Sequence, residues 1–131
     1  MPKLSGLLET AIYVDDVERA VRFYQELFGF ESIGSDERLT ALAIAGRQVL
    51  LVCRKGMSAA RPAAPHDAAG RQHLAFAVPA EAFVEWIAKL DEQGVPVEHR
   101  RAWPRGGESV YFRDPDGHLL ELATPGVWPI Y

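Results

Sequence analysis

Apolar and polar residues alternate over 9–14, where Thr10, Ile12 and Val14 interleave with Glu9, Ala11 and Tyr13, and this pattern predicts a β-strand. The period then lengthens. Val17, Val21, Tyr24 and Phe28 recur at helical spacing behind Asp16, a favoured N-cap residue, and Gly29 supplies the stop. A strand near 30–33 and hairpin arms near 40–45 and 48–53 complete a βαβββ order. Residues 54–71, RKGMSAARPAAPHDAAGR, carry no period and read as a linker rich in Ala, Pro, Gly and charge. Beyond it the order returns. A strand is predicted over 73–78 and a helix over 81–93, with Phe83, Ile87 and Leu90 inward and Gly94 as its C-terminal glycine. Strands follow near 95–99, 108–113 and 118–124, the last two joined by the turn Asp114-Pro115-Asp116-Gly117.

The two halves can be laid on one another. ETAIYV at 9–14 matches HLAFAV at 73–78, and QVLLVC at 48–53 matches HLLELA at 118–123, with a small difference in displacement that fits loop insertions. The chain therefore reads as one domain, 1–131, of the α+β class. It is built from two βαβββ modules, about 7–53 and 72–124, packed about a pseudo-twofold axis. The expected architecture is a pair of cupped mixed sheets around a central cavity, with the helices outside.

Composition sets the surroundings. With 131 residues, 48% hydrophobic and 24% charged, the chain has the balance of an ordinary globular domain. A formal net charge of -4 gives no basic footprint, which argues against nucleic acid as a partner. No apolar run approaches the roughly 20 residues that span a bilayer, and the segment from Met1 to Ser5 lacks a signal peptide's apolar core, so a cytoplasmic protein without a membrane partner is expected. Cys53 is the only cysteine, which excludes an internal disulfide and a thiolate metal cluster.

Glu121 is the misfit in this pattern. It sits among Leu119, Leu120, Leu122 and Ala123, where an unpaired carboxylate would be costly to bury. The repeat suggests a partner. Glu9 and His73 hold equivalent positions on the first strands of the halves, and Leu51 and Glu121 on the last, so three of four related positions carry metal-ligating side chains. Leu74, Phe76 and Val78 are expected to face the helix while His73, Ala75 and Ala77 face the other way, the small residues leaving room beside a ligand. A divalent cation shared by Glu9, His73 and Glu121 is the expected partner. Trp103 and Arg105, in AWPRGGES, lie on a loop whose glycines could hinge it over a ligand. Of the remaining histidines, His118 follows a turn glycine and is expected to face solvent, His66 lies in the linker, and His99 has no evident partner.

The motifs AIYVDDVERAVRFYQELFGF, RQHLAFAV and SVYFRDPDGHLLEL resemble the vicinal oxygen chelate superfamily, which includes glyoxalase I, methylmalonyl-CoA epimerase, fosfomycin-resistance enzymes, extradiol dioxygenases and bleomycin-binding proteins. The resemblance implies metal ligands at Glu9, His73 and Glu121, with Glu9 where many members carry His. The last ligand of a glyoxalase I site maps to Leu51, which cannot coordinate, so a three-ligand site holding Zn, Ni, Mn or Fe(II) is implied. It also implies a homodimer acting on a small oxygen-chelating substrate by lyase- or isomerase-type chemistry, the metal stabilising an enediolate or alkoxide. Glu9 and Tyr111 are then the catalytic candidates, and Ser109, Tyr13, Trp103 and Arg105 the substrate-binding ones. The alternatives are a metal-free protein that sequesters a planar drug against Trp103, Tyr13 and Tyr111, and a fosfomycin-resistance-like or extradiol dioxygenase-like enzyme. Against thiol transfer of the fosfomycin type, the stretch Pro104-Arg105-Gly106-Gly107-Glu108 keeps only Glu108, with Ser109 after it, of that branch's potassium loop.

Overall fold

The computed structural model describes all 131 residues, which divide into two compact units, Met1–Gly70 and Arg71–Tyr131. In the first unit, β1 (Glu9–Val14), α1 (Val17–Phe28), β2 (Glu31–Ser35), β3 (Leu39–Ile44) and β4 (Gln48–Arg54) give a four-stranded sheet in the order β1-β4-β3-β2. β1 and β4 run parallel and the other pairs antiparallel. The second unit repeats this with β5 (His73–Ala77), α2 (Phe83–Glu92), β6 (His99–Ala102), β7 (Glu108–Arg113) and β8 (Leu119–Ala123), in the order β5-β8-β7-β6. Each unit is thus a βαβββ module with a mixed sheet. No helix is long and apolar enough to cross a membrane.

The ladders bear out the alignment of the halves. Ala11 lies beside Leu51 in the parallel β1/β4 pair, and Ala75 beside Glu121 in the parallel β5/β8 pair. Leu51 and Glu121 therefore hold the same register position in their sheets.

Local chemistry accounts for the element ends and for the departures from expectation. Asp16 caps α1 by accepting from the Arg19 amide at 3.1 Å, and Gly29 closes it at φ 72, a left-handed conformation that glycine adopts without strain. The buried stripe of α1 is Val17, Ala20, Tyr24 and Leu27, so Val21 and Phe28 are only half-buried. Phe28 stacks instead with Tyr24 and Phe30, which holds Phe30 outside β2 and shifts that strand to Glu31–Ser35, with a bulge between Ser32 and Gly34. A single 3-10 turn, Ala80–Ala82, precedes α2 and moves its start from 81 to Phe83.

The strand expected over 95–99 begins only at His99. Val95 donates its amide back to the Leu90 carbonyl and prolongs the end of α2, and Pro96 has no amide to give a ladder.

Residues 54–70 group with the first unit and are tied to it by side chains. The Arg38 guanidinium donates to Ser58 Oγ at 2.7 Å, Tyr13 Oη meets His66 Nδ1 at 2.5 Å, and the Gly56 amide donates to Asp67 at 3.4 Å.

Candidate functional site on the second sheet

Alternation along the strands sorts the second sheet into two faces. Leu120 and Leu122 of β8 and Val110 and Phe112 of β7 are buried core. On the opposite face the ladders align Ala75, Glu121, Tyr111 and His99 in one row, and Ala77, Ala123, Ser109 and Arg101 in the next. His73, Ala75 and Ala77 are exposed there, while Leu74 and Phe76 behind them are half-buried, as the expected alternation requires.

Glu121 is 7% exposed and spends its carboxylate on two neighbours. Oε2 accepts from Ser109 Oγ at 2.5 Å, and Oε1 faces His73 Nε2 at 3.3 Å. The other ring nitrogen of His73 lies 2.8 Å from the Leu119 carbonyl. A carbonyl only accepts, so Nδ1 carries the proton; Nε2 then donates to the Glu121 carboxylate when the ring is protonated, and turns its lone pair toward that oxygen when the ring is neutral. Two lone pairs facing one another repel unless a proton or a cation lies between them. A metal-ligating pair has this geometry, with the far ring nitrogen fixed by a backbone carbonyl and the far carboxylate oxygen by a hydroxyl.

Ser109 is fully buried and receives the Trp103 indole N–H at 2.9 Å. Because indole only donates, this contact turns the serine's own proton toward Glu121. Trp103 and Ser109, expected to touch substrate, are here engaged in orienting Glu121. The Arg101 guanidinium stacks 3.6 Å over the Trp103 ring. An open cavity of about 300 Å³ is lined by Glu98, His99, Arg101, Tyr111 and Leu119. Burial holds the Tyr111 phenol above its ordinary pKa; a hydrogen bond with Ser109 works against this, and the Glu121 charge adds to it. Tyr111 thus keeps its proton as a donor.

The remaining expected residues lie elsewhere. Glu9 opens β1 of the other unit and is exposed. No group of three or more His, Cys, Asp or Glu within either unit could hold a metal ion, so the second sheet by itself offers His73 and Glu121. Tyr13 is 7% exposed with its hydroxyl on His66; burial, then Cys53 and Asp67, push its pKa up. Arg105 is exposed, and its loop is anchored where a hinge was expected. A Cβ at Gly107 would come within 2.4 Å of the Gly126 backbone, and the Trp103 amide donates to the Gly107 carbonyl at 2.8 Å. Gly107 permits close packing of two loops.

His118 corrects another expectation. It is 1% exposed, and its Nδ1 accepts the Gln72 amide at 2.9 Å. The signal was available in the sequence, since His118 lies in alternation with Leu120 and Leu122 and so falls on the buried face. His66 left no comparable signal, because its contact with Tyr13 spans 53 residues outside any periodic segment.

The family model of the Glyoxalase/Bleomycin resistance protein/Dioxygenase superfamily matches residues 6–122. The chain is 32% identical over 122 residues to "Glutathione transferase FosA" of Serratia marcescens, covering 91% of this chain and 80% of that protein. It is 28% identical over 120 residues to "Fosfomycin resistance protein FosX" of Listeria innocua, covering 91% and 89%. Among solved structures it resembles a lactoylglutathione lyase from Agrobacterium tumefaciens at 31% identity and a TM-score of 0.90, covering 98% of this chain and 99% of that one.

Proposed function

The chain belongs to the Glyoxalase/Bleomycin resistance protein/Dioxygenase superfamily, and on that footing we propose that it is a metal-dependent enzyme acting on a small oxygen-chelating substrate by lyase- or isomerase-type chemistry. The observation that carries the reading is the pair His73 and Glu121, whose Nε2 and Oε1 converge across 3.3 Å while their outer atoms are already fixed. This donor set fits a divalent cation. An imidazole nitrogen and carboxylate oxygens suit Zn, Ni, Mn or Fe(II). His73 and Glu121 supply two ligands, and Glu9, exposed at the start of β1, is the candidate for a third. When bound, the metal supplies a Lewis acid for a developing oxyanion.

The chain's own groups do the rest. Ser109, itself held by Trp103, keeps Oε2 of Glu121 occupied and leaves Oε1 for the cation. Tyr111 holds its proton and would donate it to substrate oxygen, and Glu9 would remove a proton on leaving the metal. Arg101, with no carboxylate partner, lines the adjacent cavity and suits a substrate carrying negative charge. A homodimer fits the fully exposed edge strands β2 and β6, which pairing of chains would cover. The lactoylglutathione lyase at a TM-score of 0.90 supports chemistry of the glyoxalase type. The printed names of the curated relatives support a fosfomycin-directed variant of the same scaffold.

A second reading, a metal-free small-molecule binder, is favoured by one fact: no buried side-chain nitrogen or oxygen lacks a hydrogen-bond partner without a metal. Metal analysis of protein purified without chelators, with calorimetric titration of Mn, Ni and Zn, separates the two. Stoichiometric binding that is lost in His73→Ala and in Glu121→Gln is expected of the enzyme. Absence of binding by the unaltered protein rejects it. Turnover assays with glutathione hemithioacetals, and with fosfomycin plus thiols, then assign the reaction.

A further inference from the structure

We propose that His118 is a positioning residue that holds His73 in its metal-binding orientation by clamping the backbone just ahead of it. The inference rests on the metal reading of His73 and Glu121. β5 is an edge strand, so its first residues have a neighbour on the β8 side alone. The β5/β8 ladder begins with His73 beside Leu119. Before that point a side chain takes over. The Gln72 amide donates to His118 Nδ1 at 2.9 Å, the Gln72 carbonyl accepts from the Leu119 amide at 2.9 Å, and the Leu119 carbonyl meets His73 Nδ1 at 2.8 Å. Three bonds in sequence thus fasten residues 72–73 to 118–119, and His118 extends the ladder by one step.

The clamp is itself rigid. Asp114, 5% exposed, accepts the His118 amide at 2.9 Å, and the Asp114 amide donates to the His118 carbonyl at 3.1 Å. Gly117, at φ 84, lies close against Arg71, where a Cβ would come within 3.2 Å of Nε. The turn before β8 therefore holds Gln72, with the Arg71 side chain lying over Gly117. Loss of the acceptor at His118 frees Gln72, and the Cα–Cβ direction of His73 is then no longer fixed toward Glu121. The outer partners of metal ligands act in this way, and their removal typically weakens metal affinity by roughly 10- to 100-fold.

The test titrates Mn(II) and Co(II) alone into the unaltered protein and into His118→Phe, His118→Asn and His118→Gln. Asparagine puts an acceptor oxygen where Nδ1 stands, glutamine puts it one bond further out, and phenylalanine fills the space without one. Affinity is expected to fall by roughly 10- to 100-fold in His118→Phe with an altered Co(II) visible spectrum, and to be restored in His118→Asn with the original spectrum. A folded His118→Phe protein with unaltered affinity and spectrum overturns the proposal. Where His118→Phe does not fold, the Asn and Gln variants decide: weaker binding by Gln supports the clamp, and equal binding overturns it. If the unaltered protein binds neither cation, the metal reading fails and the positioning role with it. Exchange of the Gln72 amide then reports the clamp alone: slow in the unaltered protein and Asn but fast in Gln if it exists, and the same in all three if it does not.

Discussion

The two sheets share one ladder and carry opposite surfaces. Where the first has Ala11 beside Leu51 and Tyr13 beside Cys53, the second has Ala75 beside Glu121 and Ala77 beside Ala123. The first face is covered at its Tyr13 and Cys53 end, while Ala11 and Leu51 are half-buried. Tyr13 and Cys53 are buried, and the segment 54–70 folds onto them through His66. The second is open, with alanines flanking His73 and Glu121 and a cavity beside Tyr111. A duplicated backbone thus fixes where side chains stand, and the residue types at a few positions decide what each face can offer a ligand. Leucine against glutamate at one register position is the sharpest difference.

Making the second face like the first is expected to have the largest effect. Glu121→Leu removes a metal ligand and should lower divalent-metal affinity at least 100-fold in calorimetric titration. The fold should tolerate it. The Ser109 hydroxyl loses its acceptor, a loss of about 1 kcal/mol, while a buried carboxylate is relieved, so the melting temperature should move by only a few degrees. Undiminished metal binding would remove Glu121 from the site. The reverse exchange, Leu51→Glu, makes the first face like the second. If Leu51 stands beside the same cation, affinity should rise about tenfold through a fourth ligand. If no metal binds, a half-buried carboxylate without a partner should cost about 1 to 3 kcal/mol, read as a lower melting temperature and an unchanged blank titration.

Much of this contrast was legible in the residues, and the illegible parts have physical causes. Alternation and helical spacing located most of the elements, and the repeat placed Leu51 and Glu121 in equivalent register. Strand ends set by hydrogen bonding were less visible: Val95 bonds back to Leu90, and Phe30 leaves β2 to join an aromatic stack. Glu121, read as needing a partner, has Ser109 and His73 beside it. Its neighbours Ser109 and Trp103 were read as contacts to substrate, because a sequence does not show that an indole N–H is spent on a serine. The segment 54–71 lacks a period because side chains from distant residues hold it, and such bonds leave no local pattern.

The tyrosines make the two halves alike under alkali. Burial is the main cause that raises the pKa of Tyr13 in the first unit and of Tyr111 and Tyr131 in the second above the ordinary 10.0. Each therefore leaves stability intact below pH 10.0 and loses it as pH rises through the elevated folded value, since the unfolded chain releases these protons more readily. Melting temperature should hold level to that point and fall beyond it, with phenolate absorbance appearing at higher pH than in denatured protein. Coincident titration of folded and denatured protein would contradict this.

The smallest effect belongs to Tyr13→Phe. The substitution keeps the ring in its buried place and removes the hydroxyl that meets His66, so one partly buried hydrogen bond is lost and stability should fall by about 1 kcal/mol. Metal affinity should not change, because the Tyr13 hydroxyl is spent on His66 and is not among the proposed ligands. The freed segment should show itself locally instead, as faster proteolysis within residues 54–70, whose remaining ties include Arg38 to Ser58 and Gly56 to Asp67. Altered metal binding in this variant, with the fold intact, would mean that the Tyr13 hydroxyl, and not only the carboxylate of Glu9 on the same strand, contributes to the site.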